Sequence, residues 1–125
     1  MEKDAILFHS QAEVTIATFQ SSELTSVFED SLSRKLQELI SAGAAPKIVL
    51  DLSRLTFLGS TGVGALMAIL GRIRKHNGQF AVVGLSGQAR GVVEVCGLEK
   101  ALMLFPDVPS AIQAMKRVPA AIPSH

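Results

Sequence analysis

Two hydroxyls and three glycines crowd into Gly59-Ser60-Thr61-Gly62-Val63-Gly64, the stretch of this chain whose residue types could carry chemistry. Ser60 and Thr61 stand where a loop enters a helix. The unpaired amides of a first helical turn and the positive end of the helix dipole favour negative charge there, by about 0.3–1 kcal/mol at exposed positions. A phosphate on Ser60 is therefore tolerated by its own fold, with Thr61 the second acceptor in order of preference. The competing role for Ser60 is that of a helix N-cap, for which serine is among the favoured residues. Catalytic readings of the same stretch fail. It has neither the Lys-Ser/Thr ending of a phosphate-cradling loop nor the glycine spacing of a dinucleotide site. A hydrolase elbow needs Gly two residues before its nucleophile, and that position is Leu58. His9, His76 and His125 are the only candidate bases, and each reads more simply as a surface residue. No acid, base or metal constellation gathers around them, so the expectation is a non-enzyme without cofactor or metal.

The helix that follows points toward binding. At about 100° per residue, Leu66, Ile69 and Ile73 share one side, Val63, Met67 and Leu70 another, and Gly64, Ala68 and Gly71 a third. No face is polar before Arg72. Such a helix is either buried all round or buries one stripe in a core and offers the rest to a partner; full burial is hard to arrange in a domain of this size, and Met67 is then an adaptable contact. A phosphorylatable serine at its edge would add about −1.5 to −2 charge to that contact. Arg72, Arg74 and Lys75 close the helix where cations complement its dipole.

The elements that must position this segment alternate along the chain. Ala5 to Phe8 and Val14 to Phe19 read as a hairpin around His9–Glu13. A helix from Phe28 carries Phe28, Leu32, Leu36, Leu39 and Ile40 on one face, with Ser26 and Glu29 as a capping box and Gly43 as its left-handed stop. Ile48-Val49-Leu50 with Leu52 is a strand buried on both faces. Then come a helix from Ser60 to His76, a strand from Phe80 to Leu85, a short helix from Ser86 to Cys96, a strand from Leu102 to Phe105 and a helix from Pro109 to Lys116. The order β-β-α-β-α-β-α-β-α predicts an α/β fold, a mixed and mostly parallel sheet of about five strands with about four helices. Residues 1–117 form the domain and 118–125 a short proline-containing tail.

Composition narrows the rest. A chain of 125 residues with 48% hydrophobic content supports one domain with a real core. Twelve Lys and Arg against eleven Asp and Glu give a net charge of +1, and Trp and Tyr are absent, which argues against a nucleic-acid partner. The single Cys96 makes no internal disulfide and reads as a buried structural thiol in a reducing compartment. The longest apolar run, Val63 to Leu70, is too short to cross a membrane, and the amino terminus does not read as a signal peptide. A cytoplasmic location follows as the expectation.

Asp51-Leu52-Ser53, Phe57-Leu58, Ser60-Thr61-Gly62 and Gly64 together resemble the STAS domain family, and within it the bacterial anti-sigma factor antagonists. The likeness continues through Ser86 and Cys96-Gly97-Leu98 to the last helix. It implies a regulatory module that binds an anti-sigma factor with serine/threonine kinase activity and is switched off by phosphorylation of the serine matching Ser60. Glu23, Leu24, Asp51, Gly59, Ser60, Thr61, Gly62, Val63, Gly64 and Met67 are then the implied partner contacts. The chain departs from the family pattern in two places: Gly59 stands where an Asp precedes the serine, and Ser22 and Thr25 flank Glu23-Leu24 in place of Gly and Asp. STAS domains also serve as subunits of lipid-transport ATP-binding-cassette complexes and of stress-signalling scaffolds, the alternative role. A weak homodimer is compatible with either.

Overall fold

The computed structural model describes residues 6–117. Strands β1 (Ile6–Gln11), β2 (Val14–Phe19), β3 (Lys47–Asp51), β4 (Gln79–Val83) and β5 (Met103–Phe105) form one sheet in the order β1-β2-β3-β4-β5. β1 pairs antiparallel with β2, and the remaining pairs are parallel. The helices are α1 (Ser26–Ser41), α2 (Ser60–Lys75), α3 (Gly87–Val95) and α4 (Val108–Arg117), with a 3-10 turn at Leu98–Lys100. This is the α/β order expected from the sequence.

Strand order equal to chain order decides the layers. Each parallel crossover steps in the same direction, and right-handed crossovers that step one way place their helices on one face. α1, α2 and α3 accordingly share a core with Ala17, Phe19, Ile48, Leu50, Leu52, Phe80 and Val82. α4, which follows the last strand, turns back to the opposite face, where Ala111, Ile112 and Met115 pack on Ile16, Val49, Ala81 and Val83. Val49 and Leu50 thus point into different cores, which is why the β3 sequence is apolar without alternation.

Several local expectations change. The hairpin is tighter than the sequence suggests: β1 runs on through His9, Ser10 and Gln11, and the turn is Ala12-Glu13 alone, at φ +53 and +67. A two-residue turn with both φ positive matches the strand twist, yet it lacks the Asn-Gly or Asp-Gly that signals it in sequence. His9 therefore lies in a strand, exposed, and His76 is the C-cap of α2. The N-cap position of α1 is Thr25, without a side-chain capping bond, so Ser26 is already helical and the capping box does not form. Gly43 at φ +88 does end the helix. α4 begins at Val108, because Asp107 accepts a hydrogen bond from the Ser110 amide at 2.9 Å and so caps it. Cys96 is exposed where a buried thiol was expected: it is the C-cap of α3, beside Val95 at 89% exposure. The 118–125 tail and His125 lie outside the described residues. Among the described residues no helix is long and apolar enough to cross a membrane.

Candidate functional site

α2 begins at Ser60, and its N-cap is Gly59 in extended conformation, φ −106° and ψ −171°, with no side-chain capping bond. The N-cap role for Ser60 is thereby removed. Its hydroxyl is on the first helical residue, exposed, next to exposed Thr61. The first turn-closing bond runs from the Val63 amide to the Gly59 carbonyl at 3.0 Å, so the amides before Val63 remain orphan donors at the positive pole. The first turn of α2 has no acidic residue. Chemically this end of the helix suits an added anion on Ser60 Oγ.

Beyond Ser60, α2 buries Gly62, Ala65, Leu66, Ile69, Leu70 and Ile73. Gly64, Ala68 and Gly71 are exposed, and Met67 is 55% exposed. Ser60, Gly64, Met67, Ala68 and Gly71 fall within one stripe at about 100° per residue, so the hydroxyl heads a smooth, apolar, solvent-facing surface. Val63 is half-buried at its margin.

Two clamps hold the loop that delivers Ser60. On one side the Ser22 carbonyl accepts from the amides of Thr56 at 2.9 Å and Phe57 at 3.1 Å, and Glu23 and Phe57 form an isolated parallel bridge. On the other side Gln88, in the first turn of α3, takes the Leu58 amide on Oε1 at 2.7 Å and donates from Nε2 to the Leu58 carbonyl at 3.0 Å. Leu58 and Leu24 are buried, and a Cβ on Gly62 would stand 2.6 Å from Leu58 Cδ1 and 3.0 Å from Leu24 Cβ. Gly62 is therefore the point at which the helix sits down on the 22–24 segment.

The residues singled out from sequence separate into two groups. Glu23, Gly59, Ser60, Thr61, Val63, Gly64 and Met67 come together at or near the surface of this end of the molecule. Leu24 and Gly62 are buried beneath it and act as support. Asp51, at the end of β3, accepts bonds on Oδ1 from the Ser53 amide at 3.0 Å and the Ser53 hydroxyl, so it shapes the turn that leads into the loop. Gln88 was missed, and Ser22 and the half-exposed ring of Phe57, both at positions of the family pattern, were not counted among the site residues. Gln88 meets Leu58 across 30 positions of chain, and no local pattern announces such a pairing.

The sequence model of the STAS domain family matches residues 6–111. The chain belongs to the STAS domain family. Solved structures similar to this STAS domain include TM1081 of Thermotoga maritima, at a TM-score of 0.76 and 20% identity over 90% of this chain and 95% of that one. An anti-sigma factor antagonist from Mycobacterium paratuberculosis matches at 0.71 and 27% identity, covering 89% of this chain and 92% of its own. The Bacillus cell fate determinant SpoIIAA in its phosphorylated form matches at 0.67 and 22% identity, covering 89% and 99%.

Proposed function

We propose that this STAS protein is a regulatory binding module: an anti-sigma factor antagonist that captures an anti-sigma factor of the serine/threonine kinase type and releases it when Ser60 is phosphorylated. One observation carries the reading. An exposed Ser60 hydroxyl that caps nothing stands at the head of the exposed stripe Gly64, Met67, Ala68 and Gly71. Phosphorylation there places charge and its desolvation cost at the rim of an apolar contact while the helix end accommodates it. The similarity to an anti-sigma factor antagonist at 27% identity supports the same role. Residues 1–117 form the binding module, with Glu23, Gly59, Thr61 and Val63 around the contact, and it works in the cytoplasm, where sigma factors act. It performs no catalysis of its own.

A second reading, a STAS subunit of a lipid-transport ATPase complex or stress-signalling scaffold in which Ser60 is only a polar contact, draws on the absence of any acidic residue in the first turn of α2. Parallel capture from native lysate with wild-type and Ser60→Asp baits separates the two. Under the first reading the wild type alone retains an ATP-binding, kinase-like protein. Ser60→Asp then melts at or slightly above the wild type, since the helix terminus favours the carboxylate by about 0.3–1 kcal/mol. Equal retention of transporter or scaffold subunits by both baits overturns the switch.

A further inference from the structure

We infer that Gln88 is the positioning residue of the Ser60 loop: its side-chain amide, borne by α3, sets the place and order of the backbone that presents the Ser60 hydroxyl to the partner. The inference rests on the function proposed above and adds a residue to that site.

The geometry is that of a rung in a sheet ladder. The Leu58 amide donates to Gln88 Oε1 at 2.7 Å, and Gln88 Nε2 donates to the Leu58 carbonyl at 3.0 Å. One side chain thus satisfies both backbone polar groups of the residue two positions before Ser60. Leu58 is 1% exposed and its bonds to Gln88 are part-buried, so an apolar side chain that fills the same space without bonding would leave a donor and an acceptor short of partners. The opposite side of the loop is held at Thr56 and Phe57 by the Ser22 carbonyl. Leu58 and Gly59, between this clamp and α2, have no regular structure to order them, and Gln88 makes the described side-chain hydrogen bonds from α3 to this stretch.

The local chain around Gln88 is arranged for this approach. Gly84 and Gly87 both adopt positive φ, +79 and +57. At Gly84 a Cβ would stand 2.5 Å from Ser53 Oγ and 3.0 Å from the Ser53 backbone, so the connection from β4 is drawn against the turn at the foot of the loop. Gln88 is the second residue of α3, on the helix end that faces Leu58. A pre-ordered loop binds without an ordering cost at the moment of contact. Loss of the clamp should therefore weaken partner capture without changing which groups touch the partner.

Amide hydrogen exchange on the full chain tests this without any partner. In Gln88→Met, which keeps the length and removes both bonds, exchange at the Leu58 amide is expected to accelerate about tenfold, the equivalent of roughly 1.4 kcal/mol, with β3 and β4 unchanged. Gln88→Glu supplies a readout that simple packing does not move. An ionised carboxylate accepts from the Leu58 amide but cannot donate to its carbonyl, whereas the protonated acid does both. Its exchange, taken as a ratio to wild type at each pH, should be raised at neutral pH and return toward one as pH falls below about 4. If Gln88→Met does not fold, this pH recovery decides. Unchanged exchange in both variants, or acceleration spread over β3 and β4, overturns the positioning role. Calorimetry with the anti-sigma factor retained by the wild type is expected to show about tenfold weaker binding for Gln88→Met. A wild type that retains no such factor would sink the function proposed above, while the exchange result on Gln88 would stand by itself.

Discussion

The ring of Phe57 occupies the space that a side chain on Gly59 would need: a Cβ on Gly59 would stand 3.0 Å from Phe57 Cε2 and 3.5 Å from Cζ. Backbone conformation does not demand glycine there, since φ is −106°. The neighbour does. Phe57 is 46% exposed, so the surface immediately before Ser60 is aromatic where the family pattern has a carboxylate.

A coupling between these two residues follows. Asp at the N-cap of α2 is better than Gly by only a few tenths of a kcal/mol, and displacing the ring consumes a comparable amount, so Gly59→Asp alone should change stability by less than about 0.5 kcal/mol. With Phe57→Ala in the background the same substitution should stabilise, because the cap is gained without displacement. Urea denaturation of the double-mutant cycle measures this. Additive effects would show that the ring does not exclude the Asp.

Gly62 and Gly64 lie two positions apart in α2 and should respond oppositely to alanine. At Gly62 the new methyl meets Leu58 Cδ1 at 2.6 Å and Leu24 Cβ at 3.0 Å, an overpacking expected to cost about 1–3 kcal/mol, less the helix-propensity gain of about 1. At Gly64 nothing lies within 4 Å, so Gly64→Ala should stabilise by about 0.5–1 kcal/mol. Under the proposed function that same methyl roughens the exposed stripe and weakens partner capture. Denaturation midpoints read the first pair of effects, and a binding titration reads the last.

The Asp107 cap provides a pH signature. Hydrogen bonds from the Ser110 side chain, then from its backbone amide, hold the Asp107 carboxyl below its ordinary value of 3.8. A carboxyl lowered in the folded state contributes stability that is present above its unfolded value and is lost as pH falls through the folded one. Asp107→Ala should therefore melt below the wild type at pH 7, and the difference should narrow as pH falls through the lowered value. Thermal melts across pH 2.5–7 check this. A constant difference down to the lowest pH would mean that the charge of the cap contributes nothing.

The order and type of the elements were determined by the sequence itself, because each rests on short-range periodicity. Val49-Leu50 reads as a doubly buried strand, α2 as a helix with a small-residue side, and Gly43 as a helix stop, all from neighbours within a few positions. The stretch around Ser60 was legible for the same reason: hydroxyls and glycines at a helix start form a local pattern. What only the tertiary structure decided depends on contacts between distant segments or on backbone shape without a sequence signal. The Ala12-Glu13 turn is imposed by pairing along the whole hairpin. Cys96 emerged at the surface because the fold ends α3 there, although its apolar neighbours suggested burial. Leu24 and Gly62 moved from the contact surface to its foundation because the 22–24 segment lies under α2. Gln88 joined the site because three helices gathered on one face of the sheet bring the start of α3 against the loop that carries Ser60.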